Sequence, residues 1–417
     1  MRILVISNYY PPFELGGWEQ LTSNVVNRLT DRGHQIEVLT SNYRVREIHR
    51  TEPGVHRRLH LESYDPVNYH PHSTLYFRHQ EGENRSILTG IVHEFDPEII
   101  YINGMWNLPY TVAKHAEQLR PGRVVYYMAS YWPTELDAHL AYWTSVADSK
   151  IKQIPKQVIG SILRKSWIKT TPRNRLEFCL VLCVSKFVQN YLVREAGVPK
   201  ERTQVVYNGI ELDWFTVRRG ENPTRQLRLL YAGRLSPDKG VHTILDALEL
   251  LHRAIPEADI RLSLYGGGTP EYETSLREQA RGLGIEKWVE IKGQVPREQM
   301  PGVFARHDVL LFPSIWPEPL ARILQEAMAC ELVVIGTPTG GTCEILLDGE
   351  NGLVFEAGNA AMLAEKIHLI ASDFSLREKL SKAARRTVVE RFSLDRMVSE
   401  IEHCFTQVLS QAEYSLE

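Results

Sequence analysis

The sequence has little of what would indicate a secreted, metal-binding or membrane-spanning protein. Only 5 of its 417 residues are cysteines, and none forms a Cys-x-x-Cys pair, so we expect reduced thiols and no metal site built on them. No apolar run approaches the roughly 18 residues that a membrane-spanning helix needs. The first apolar run, Ile3-Leu4-Val5-Ile6, is too short for a secretory signal and indicates a strand. These absences predict a cytoplasmic protein.

Several catalytic motifs are also missing. The chain contains no P-loop, no Gly-x-Ser-x-Gly nucleophile elbow, no His-Glu-x-x-His pair and no Asp-x-Asp pair. Without an Asp-x-Asp pair, a metal ion holding a diphosphate is not indicated, so basic side chains would have to neutralise such a ligand. The net charge of −3 gives no reason to expect a nucleic-acid partner.

Strands and helices alternate in two series along the chain. The strand Arg2–Ile6, the Gly16-Gly17 loop, an amphipathic helix and a strand over residues 35–40 open a doubly wound parallel sheet. A second series of the same kind begins with a strand over residues 227–231. The fold class is therefore α/β, with two Rossmann-like domains built on parallel sheets.

The domain boundaries follow from where the alternation stops and restarts. A length of 417 residues exceeds what one hydrophobic core usually supports. We expect an N-terminal domain over residues 1–206 and a C-terminal domain over residues 207–393. Residues 41–95 are rich in histidine, tyrosine and charge and give no clear pattern.

Two cations follow the first strand of the second series. Arg234 and Lys239 lie in the loop between that strand and the next predicted helix. Ligands of such sheets bind at the carboxyl ends of the strands. Arg234 is suited to bind a diphosphate bidentately, and Lys239 to supply a compact charge. The alternative is a solvated basic loop.

Two glutamates frame a predicted helix start after the strand Val309–Phe312. If helical, the eight residues from Glu318 to Glu326 span roughly 12 Å along the axis. Carboxylates accept hydrogen bonds from sugar hydroxyls, and a helix N-terminus attracts an anion. A nucleotide-sugar matches this pattern. The alternative is that Glu318 caps the helix and Glu326 is a solvated surface residue.

Other loops at strand ends are suited to a ligand or to simple turns. Gly266, in a run of three glycines, permits close approach of the backbone to a ligand or a tight turn. Val295, which follows a short strand over residues 289–291, is suited to present an apolar side chain to a nucleotide base.

These segments resemble those of glycosyltransferase family 4. The matching segments keep the family's order and spacing: Gly16-Gly17 with Glu19, 32–36, 184–187, 207–210, 232–240, 313–327 and 348–353. The resemblance covers nearly the full length and is weaker over residues 41–95 and 134–175. It implies a GT-B fold, in which two Rossmann-like domains face each other across a cleft. In that fold the last helix, here residues 394–417, packs back on the N-terminal domain.

The resemblance implies a retaining hexosyltransferase that uses a UDP- or GDP-sugar, such as GDP-mannose, without a metal or other cofactor. By motif position, Arg234 and Lys239 would bind the diphosphate and stabilise its departing charge. Glu318 would hold hydroxyls of the donor sugar, and Glu326 the ribose. Front-side attack and a short-lived ion pair are both compatible with these residues.

The resemblance also implies backbone contacts with the donor. Leu320 and Ala321 would contact its sugar or phosphate, and Gly16 and Gly17 would approach it from the other domain. The acceptor would be a glycan or a lipid-linked glycan in the synthesis of a cell-surface polysaccharide or glycoconjugate.

One position departs from the family pattern. Many relatives carry His-Asp before Tyr-Trp after the strand Val124–Met128, with the histidine near the donor sugar, whereas this chain has Ala129-Ser130. Gly104, Trp106 and His139 are the candidates to compensate. The departure motivates a second hypothesis, a catalytically silent subunit that binds nucleotide-sugars. A third hypothesis is a GT-B nucleotide-sugar epimerase.

Residues 148–175 combine positive charge with apolar residues at roughly helical spacing. Eight basic residues stand against the single acid Asp148: Lys150, Lys152, Lys156, Arg164, Lys165, Lys169, Arg173 and Arg175. This pattern predicts a basic amphipathic helix on an anionic membrane surface, which would place the protein peripherally at the inner face of the membrane. The alternative is a solvated helix that covers the domain.

Overall fold

A computed structural model describes residues 1–14, 16–48, 52–64, 69–146, 154, 156–162, 176–216 and 226–414. The chain divides into two compact units. Unit 1 comprises Met1–Val184, Val188–Val206 and Val398–Glu417, and unit 2 comprises Ser185–Phe187 and Tyr207–Met397.

Unit 1 contains a seven-stranded parallel sheet in the order β3-β2-β1-β4-β5-β6-β7. Its strands are β1 Arg2–Ile6, β2 Gln35–Ser41, β3 Val55–Leu59, β4 Ile99–Asn103, β5 Val124–Met128, β6 Leu180–Cys183 and β7 Thr203–Val205. All residues of β4 and β5 are buried, as expected for central strands covered on both faces. The chain order reverses direction between β1 and β4, where ligands of such sheets bind.

Unit 2 contains a six-stranded parallel sheet in the order β10-β9-β8-β11-β12-β13. Its strands are β8 Leu227–Ala232, β9 Ile260–Tyr265, β10 Val289–Gly293, β11 Val309–Phe312, β12 Val333–Gly336 and β13 Leu353–Val354. The pairing of β8 with both β9 and β11 again places a reversal of strand order at the first strand of the sheet.

Helices connect the strands in both units. In chain order they are α1 Gly17–Asp31, α2 Ser73–Phe95, α3 Tyr110–Leu119, α4 Ala138–Thr144, α5 Lys186–Glu195, α6 Val241–Ala254, α7 Pro270–Gly282, α8 Met300–Phe304, α9 Arg322–Ala329, α10 Ala360–Ser372, α11 Phe374–Arg391 and α12 Leu394–Tyr414. Residues 156–162 are also helical. No described helix combines the length and the apolar character that crossing a membrane requires.

Apolar residues at helical spacing hold α6 against the sheet of unit 2. Ile244, Leu248 and Leu251 lie on its inner face and are buried in the core that also contains Leu229 of β8 and Leu311 of β11. Complete burial of such a side chain stabilises the fold by about 1.5–3 kcal/mol. The sheet and its helices thereby fix the positions of the loops that follow the strands.

The expected fold class is confirmed, since both units are α/β with all-parallel sheets. Residues 41–95, which gave no clear pattern, contain β3 and α2. Strand β3 lies at the sheet edge and buries only Leu59, and α2 buries four residues over 23 positions. Neither element therefore has a long apolar stripe in its sequence. All five cysteines are free in the structure, and the reduced state of their thiols stays a prediction.

Candidate active site

The carboxyl ends of β8, β9, β11 and β12 lie at one edge of the sheet in unit 2, and their loops are bonded to one another. Leu235 N donates to Gly267 O at 2.9 Å, which joins the loops after β8 and β9. Ile315 N and Trp316 N donate to Asp238 O at 2.9 and 3.0 Å. The loop after β12 joins through Thr337 Oγ1, which donates to Ser314 O at 2.6 Å. The loops therefore form a connected platform.

Lys239 and Glu318 meet on this platform. The Lys239 ammonium donates to Glu318 Oε1, and both side chains are largely buried. Ser314 Oγ donates to the same carboxylate oxygen at 3.0 Å. Gly341 N donates to Glu318 O at 2.7 Å, which fixes the backbone of the glutamate. A cation and a carboxylate are thus held side by side at the sheet edge.

The structure excludes the alternative in which Glu318 caps the helix, and it corrects the expected spacing of Glu318 and Glu326. Helix α9 begins only at Arg322, with Ala321 at its N-cap and no side chain capping it. Glu318 therefore does not cap the helix. The segment from Glu318 to Ala321 is not helical, so the separation of roughly 12 Å, which assumed a continuous helix to Glu326, does not apply.

Arg234 lies on the same loop as Lys239 but extends outward. Its side chain is 68% exposed, and its Nη2 atom lies 3.7 Å from Asp238 Oδ2. The backbone of the loop is held by Tyr231, whose hydroxyl donates to Arg234 O at 2.7 Å. A weak, exposed pair of this kind leaves the guanidinium able to exchange its partner for an anion.

Glu326 is only 5% exposed, so the alternative of a solvated surface residue is wrong. Arg297 Nη2 donates to its Oε1 atom at 2.7 Å, and Arg322 Nη2 lies 3.8 Å from the same atom. No described residue forms a hydrogen bond or an ion pair with Oε2. Two arginines thus hold one carboxylate oxygen and leave the other for a ligand.

Arg297, Arg322 and Ser314 were not among the predicted site residues. Arg322 carries a sequence signal, because it lies four residues before Glu326 and therefore on the same face of α9. Arg297 reaches Glu326 from the loop after β10, 29 residues away, and no spacing rule connects them. Ser314 contacts Glu318 within a Pro-rich loop of irregular backbone.

Other predicted donor-binding residues of unit 2 lie around the same edge. Gly266 has φ +135, and a Cβ atom there would lie 1.8 Å from Gly233 O. The backbone that Gly266 approaches closely is therefore another loop of the protein. Leu320 is buried, while Ala321 and Val295 are half-buried. The contribution of these four residues to donor binding stays a prediction.

Gly16 and Gly17 lie in unit 1 at the start of α1. Gly16 N donates to Glu19 Oε2 at 3.2 Å, which satisfies one amide of the helix N-terminus. A Cβ atom on Gly16 would meet no atom within 4 Å, so packing does not require glycine there. The role of Gly16 and Gly17 in donor binding stays a prediction.

A cavity lies in unit 1 at the ends of central strands. Its volume is about 220 Å³, and Gly104, Trp106, Ala129 and Ser130 are among its lining residues. His139 is not among them. It is buried and hydrogen bonded to the Tyr69 hydroxyl at 2.5 Å, and burial lowers the pKa of its imidazole to about 4. Two of the three candidates to compensate for Ala129 therefore share a cavity with it.

Metal ligands do not cluster in the part of the chain that the structure describes. No three His, Cys, Asp or Glu side chains there lie close enough together to hold a metal ion.

The structure is similar to solved glycosyltransferases. A glycosyltransferase from Rickettsia africae ESF-5 aligns with a TM-score of 0.72 and 20% identity, over 98% of each chain. Anabaena HepE in complex with UDP aligns with a TM-score of 0.68 and 20% identity, over 98% of this chain and 100% of that chain. At this identity the likeness shows the fold alone, which is the GT-B fold.

The family follows from two sequence models that together match most of the chain. Residues 15–214 match the model for Glycosyltransferase Family 4, and residues 214–387 match the model for Glycosyl transferases group 1. A putative glycosyltransferase of Bacillus subtilis, YtcC, is 27% identical over 251 residues, which are 55% of this chain and 61% of that relative. The chain belongs to glycosyltransferase family 4.

Proposed function

We propose that the protein is a retaining hexosyltransferase that moves a sugar from a UDP- or GDP-sugar to a hydroxyl of a glycan or lipid-linked acceptor, without a bound metal ion. The observation that carries this proposal is the cluster in unit 2. There Lys239 lies against Glu318, and the exposed guanidinium of Arg234 extends from the same loop. Such cations bind the negative oxygens of a diphosphate, and a carboxylate beside them accepts hydrogen bonds from the hydroxyls of the attached sugar.

The UDP in the Anabaena HepE complex supports a nucleoside diphosphate as a ligand of this chain. In the reaction the bond between the anomeric carbon and the diphosphate oxygen breaks, and the bonding electrons leave with the diphosphate. A new bond to the acceptor oxygen forms on the same face of the sugar, and the hydroxyl proton is released. Arg234 and Lys239 stabilise the charge that develops on the diphosphate, while Glu318 holds hydroxyls of the sugar.

A donor panel tests the proposal. The protein is incubated in EDTA with UDP-glucose, UDP-galactose, UDP-N-acetylglucosamine and GDP-mannose, with and without candidate glycan acceptors, and free UDP or GDP is measured. We expect release from at least one donor and transfer with retained configuration, as read by ¹H NMR of the product. Activity that appears only after Mg²⁺ or Mn²⁺ is added would contradict the metal-independent part of the proposal.

Two outcomes identify the competing functions. A protein that binds a nucleotide-sugar but never releases the nucleotide, even with acceptors present, is a silent binding subunit. A protein that converts UDP-N-acetylglucosamine to another UDP-sugar, or releases UDP with a changed free sugar, is an epimerase. Either result replaces the transferase proposal.

The proposal places the protein at the cytoplasmic face of an anionic membrane. Most of the basic segment over residues 148–175 lies outside the described residues. In the described part, Ile154, Val158 and Ile162 lie four residues apart and are 54–69% exposed. Lys156 was expected to face the membrane, but it is 9% exposed, with its Nζ atom 4.1 Å from the Tyr142 ring centroid and 2.9 Å from Ser145 Oγ. Lys156 is therefore not a lipid contact.

Liposome flotation tests this part. We expect the protein to float with vesicles that contain anionic lipid, and replacement of Ile154, Val158 and Ile162 by serine to reduce the floating fraction, because an apolar face contributes to interfacial binding. The matched control replaces the exposed apolar residues Leu250, Leu369 and Val389 of unit 2 by serine. An unmodified protein that never floats refutes the membrane association.

A further inference from the structure

A groove at the amino ends of three strands in unit 1 is not part of the candidate active site. Arg123 directly precedes β5, Cys179 precedes β6 and Arg202 precedes β7, and all three residues line the groove. These strands are neighbours in the sheet, in the order β5-β6-β7. The groove therefore lies at the opposite end of the sheet from the edge where ligands of parallel sheets normally bind.

The last helix, α12, forms one wall of the groove. Phe405 packs against Tyr101 of β4 with ring centroids 5.3 Å apart, which places α12 against this sheet. Gln407 and Gln411 are about one helical turn apart and therefore on the same side of α12, and both line the groove. Gln204 of β7 is a further amide in the lining. The lining thus offers groups that both donate and accept hydrogen bonds.

The groove has the size of a small-molecule site. Its volume is about 620 Å³. Ligand pockets usually have volumes of roughly 300–1,000 Å³. Most of the residues that line the groove carry polar or charged side chains, and Leu180 and Val408 supply aliphatic groups at its floor and its wall. The groove therefore suits a polar ligand of metabolite size rather than a lipid chain.

Two guanidinium groups in the lining lack an acidic partner. Arg123 is half-buried, and its guanidinium forms no hydrogen bond or ion pair with any residue that the structure describes. Arg202 donates to the backbone oxygen of Glu177. The Glu177 carboxylate itself lies 3.6 Å from Lys114 Nζ, and the other acid of the lining, Glu201, is exposed. A half-buried guanidinium without a partner indicates an oxyanion ligand, which it binds through two parallel hydrogen bonds.

The spacing of the two arginines sets the scale of the ligand. Neighbouring strands lie about 4.8 Å apart, so the backbones at Arg123 and Arg202, which are separated by β6, are about 10 Å apart. Two long side chains can contact one ligand from both sides over this distance. The Cys179 thiol lies between them in the sheet order, with its Sγ atom donating to Gly122 O at 3.0 Å. A ligand held by both arginines would therefore cover this thiol.

We propose that this groove is a second ligand site of the chain, which binds a small polar molecule through a phosphate or carboxylate group held by Arg123 and Arg202. The site is separate from the proposed transfer reaction, for which Arg234 and Lys239 of unit 2 supply the cations. The proposal depends only on the charges, the volume and the strand order of unit 1.

Protection of Cys179 from alkylation measures occupancy of the groove. The unmodified protein is treated with iodoacetamide, alone and with inorganic phosphate, glucose 6-phosphate, fructose 1,6-bisphosphate or citrate, and the modified Cys179 peptide is quantified by mass spectrometry. We expect at least one probe to slow the reaction of Cys179 about tenfold at about ten times its Kd, by mass action. Cys343, an exposed thiol of unit 2, is the internal control and should react as before. The phosphate and citrate arms distinguish the two kinds of oxyanion.

Three variants complete the test. Arg123→Met keeps the apolar part of the side chain and removes no contact within the described structure, so we expect it to fold normally and to weaken the protecting probe about tenfold or more. Arg194→Met, at an exposed arginine of α5, is the matched control and should be protected as the unmodified protein is. The Arg234→Ala, Lys239→Met double variant of unit 2 should also retain the protection.

Three results would overturn the proposal: no probe protects Cys179, Arg123→Met is protected as well as the unmodified protein, or the double variant of unit 2 loses the protection. The last result would show that the probe acts from the donor platform. If Cys179 is protected through Arg123 while neither UDP nor GDP binds the protein, the groove assignment stands and the proposed function fails.

Discussion

Lys239 donates a hydrogen bond to Glu318 across 79 residues of chain. The residue expected to bind the diphosphate and the residue expected to bind the donor sugar therefore hold each other in the structure. Neither side chain is fully buried, so the pair is able to open toward a ligand. When a diphosphate replaces the carboxylate as partner of the ammonium, the Glu318 oxygens become available to sugar hydroxyls. We therefore expect the pairing to couple the binding of the diphosphate to the binding of the donor sugar.

The first prediction concerns this coupling. Glu318→Ala removes a hydroxyl acceptor and also the carboxylate that competes for Lys239. We expect kcat/KM for the nucleotide-sugar to fall about 10- to 100-fold, since a hydrogen bond to a charged group contributes about 1.5–3 kcal/mol. UDP alone, which lacks the transferred sugar, should bind as tightly as before or more tightly. Isothermal titration with UDP and steady-state kinetics with the donor measure the two effects.

Glu290→Ala is the control for Glu318, because Glu290 is an exposed carboxylate of β10 that is paired with Lys292. It should change neither measurement. If Glu318→Ala weakens UDP binding and lowers kcat/KM for the nucleotide-sugar by the same factor, the Glu318 carboxylate does not act on the sugar, and its assigned role is wrong.

The second prediction concerns the arginines that hold Glu326. Both contact Oε1, so we expect them to orient Oε2 toward the ribose hydroxyls. Glu326→Ala should weaken the binding of UDP by about 10- to 100-fold, and Arg297→Met should weaken it by about tenfold. Neither change should weaken the binding of 2′,3′-dideoxy-UDP, which lacks the ribose hydroxyls. Isothermal titration with the two nucleotides makes the comparison, and equal losses for both would refute the ribose contact.

The third prediction concerns the pH dependence of stability. Burial lowers the pKa of His139 to about 4 in the folded protein, against about 6.5 in the unfolded chain. Between these values the unfolded state binds more protons, so the free energy of unfolding falls as the pH drops from 6.5 toward 4. The loss between pH 7 and pH 5 from this residue is about 2 kcal/mol.

Urea unfolding at pH 7 and pH 5 measures this effect. We expect His139→Gln to lose less stability than the unmodified protein over this interval, by about 2 kcal/mol. His79→Gln, at a side chain that is 78% exposed, should retain the full loss. An identical pH dependence in all three proteins would show that His139 does not titrate in the folded state as its burial requires.

The sheets and the loops after their strands could be predicted from the sequence, because the central strands are continuous apolar runs. The predicted bounds of β1, β5 and β11 agree with those in the structure. The sequence also placed Arg234, Lys239, Glu318 and Glu326 in unit 2. It did not predict that Lys239 would pair with Glu318. Such pairs depend on how loops distant in sequence pack and on which rotamers they allow, and no local period encodes either.

The burial of Glu326, which the alternative of a solvated residue did not include, has no sequence signal for a similar reason. Nothing in the sequence around a glutamate that follows Gln325 on a short helix indicates that its side chain is buried. Arg297, whose charge offsets the cost of burying the carboxylate, comes from another loop. The burial of Lys156 was missed for the same reason. Its partners Tyr142 and Ser145 lie in and directly after α4, outside the segment whose charge pattern was considered.

The central claim is that the platform of unit 2 binds the nucleoside diphosphate of the donor through Arg234 and Lys239. Isothermal titration of UDP and GDP into the unmodified protein and into the Arg234→Ala, Lys239→Met double variant tests it most directly. We expect one of the two nucleotides to bind the unmodified protein at one site, and its affinity to fall at least 100-fold in the double variant, since each charged contact contributes about 1.5–3 kcal/mol. Unchanged affinity in the double variant, or no binding of either nucleotide to the unmodified protein, would contradict the claim.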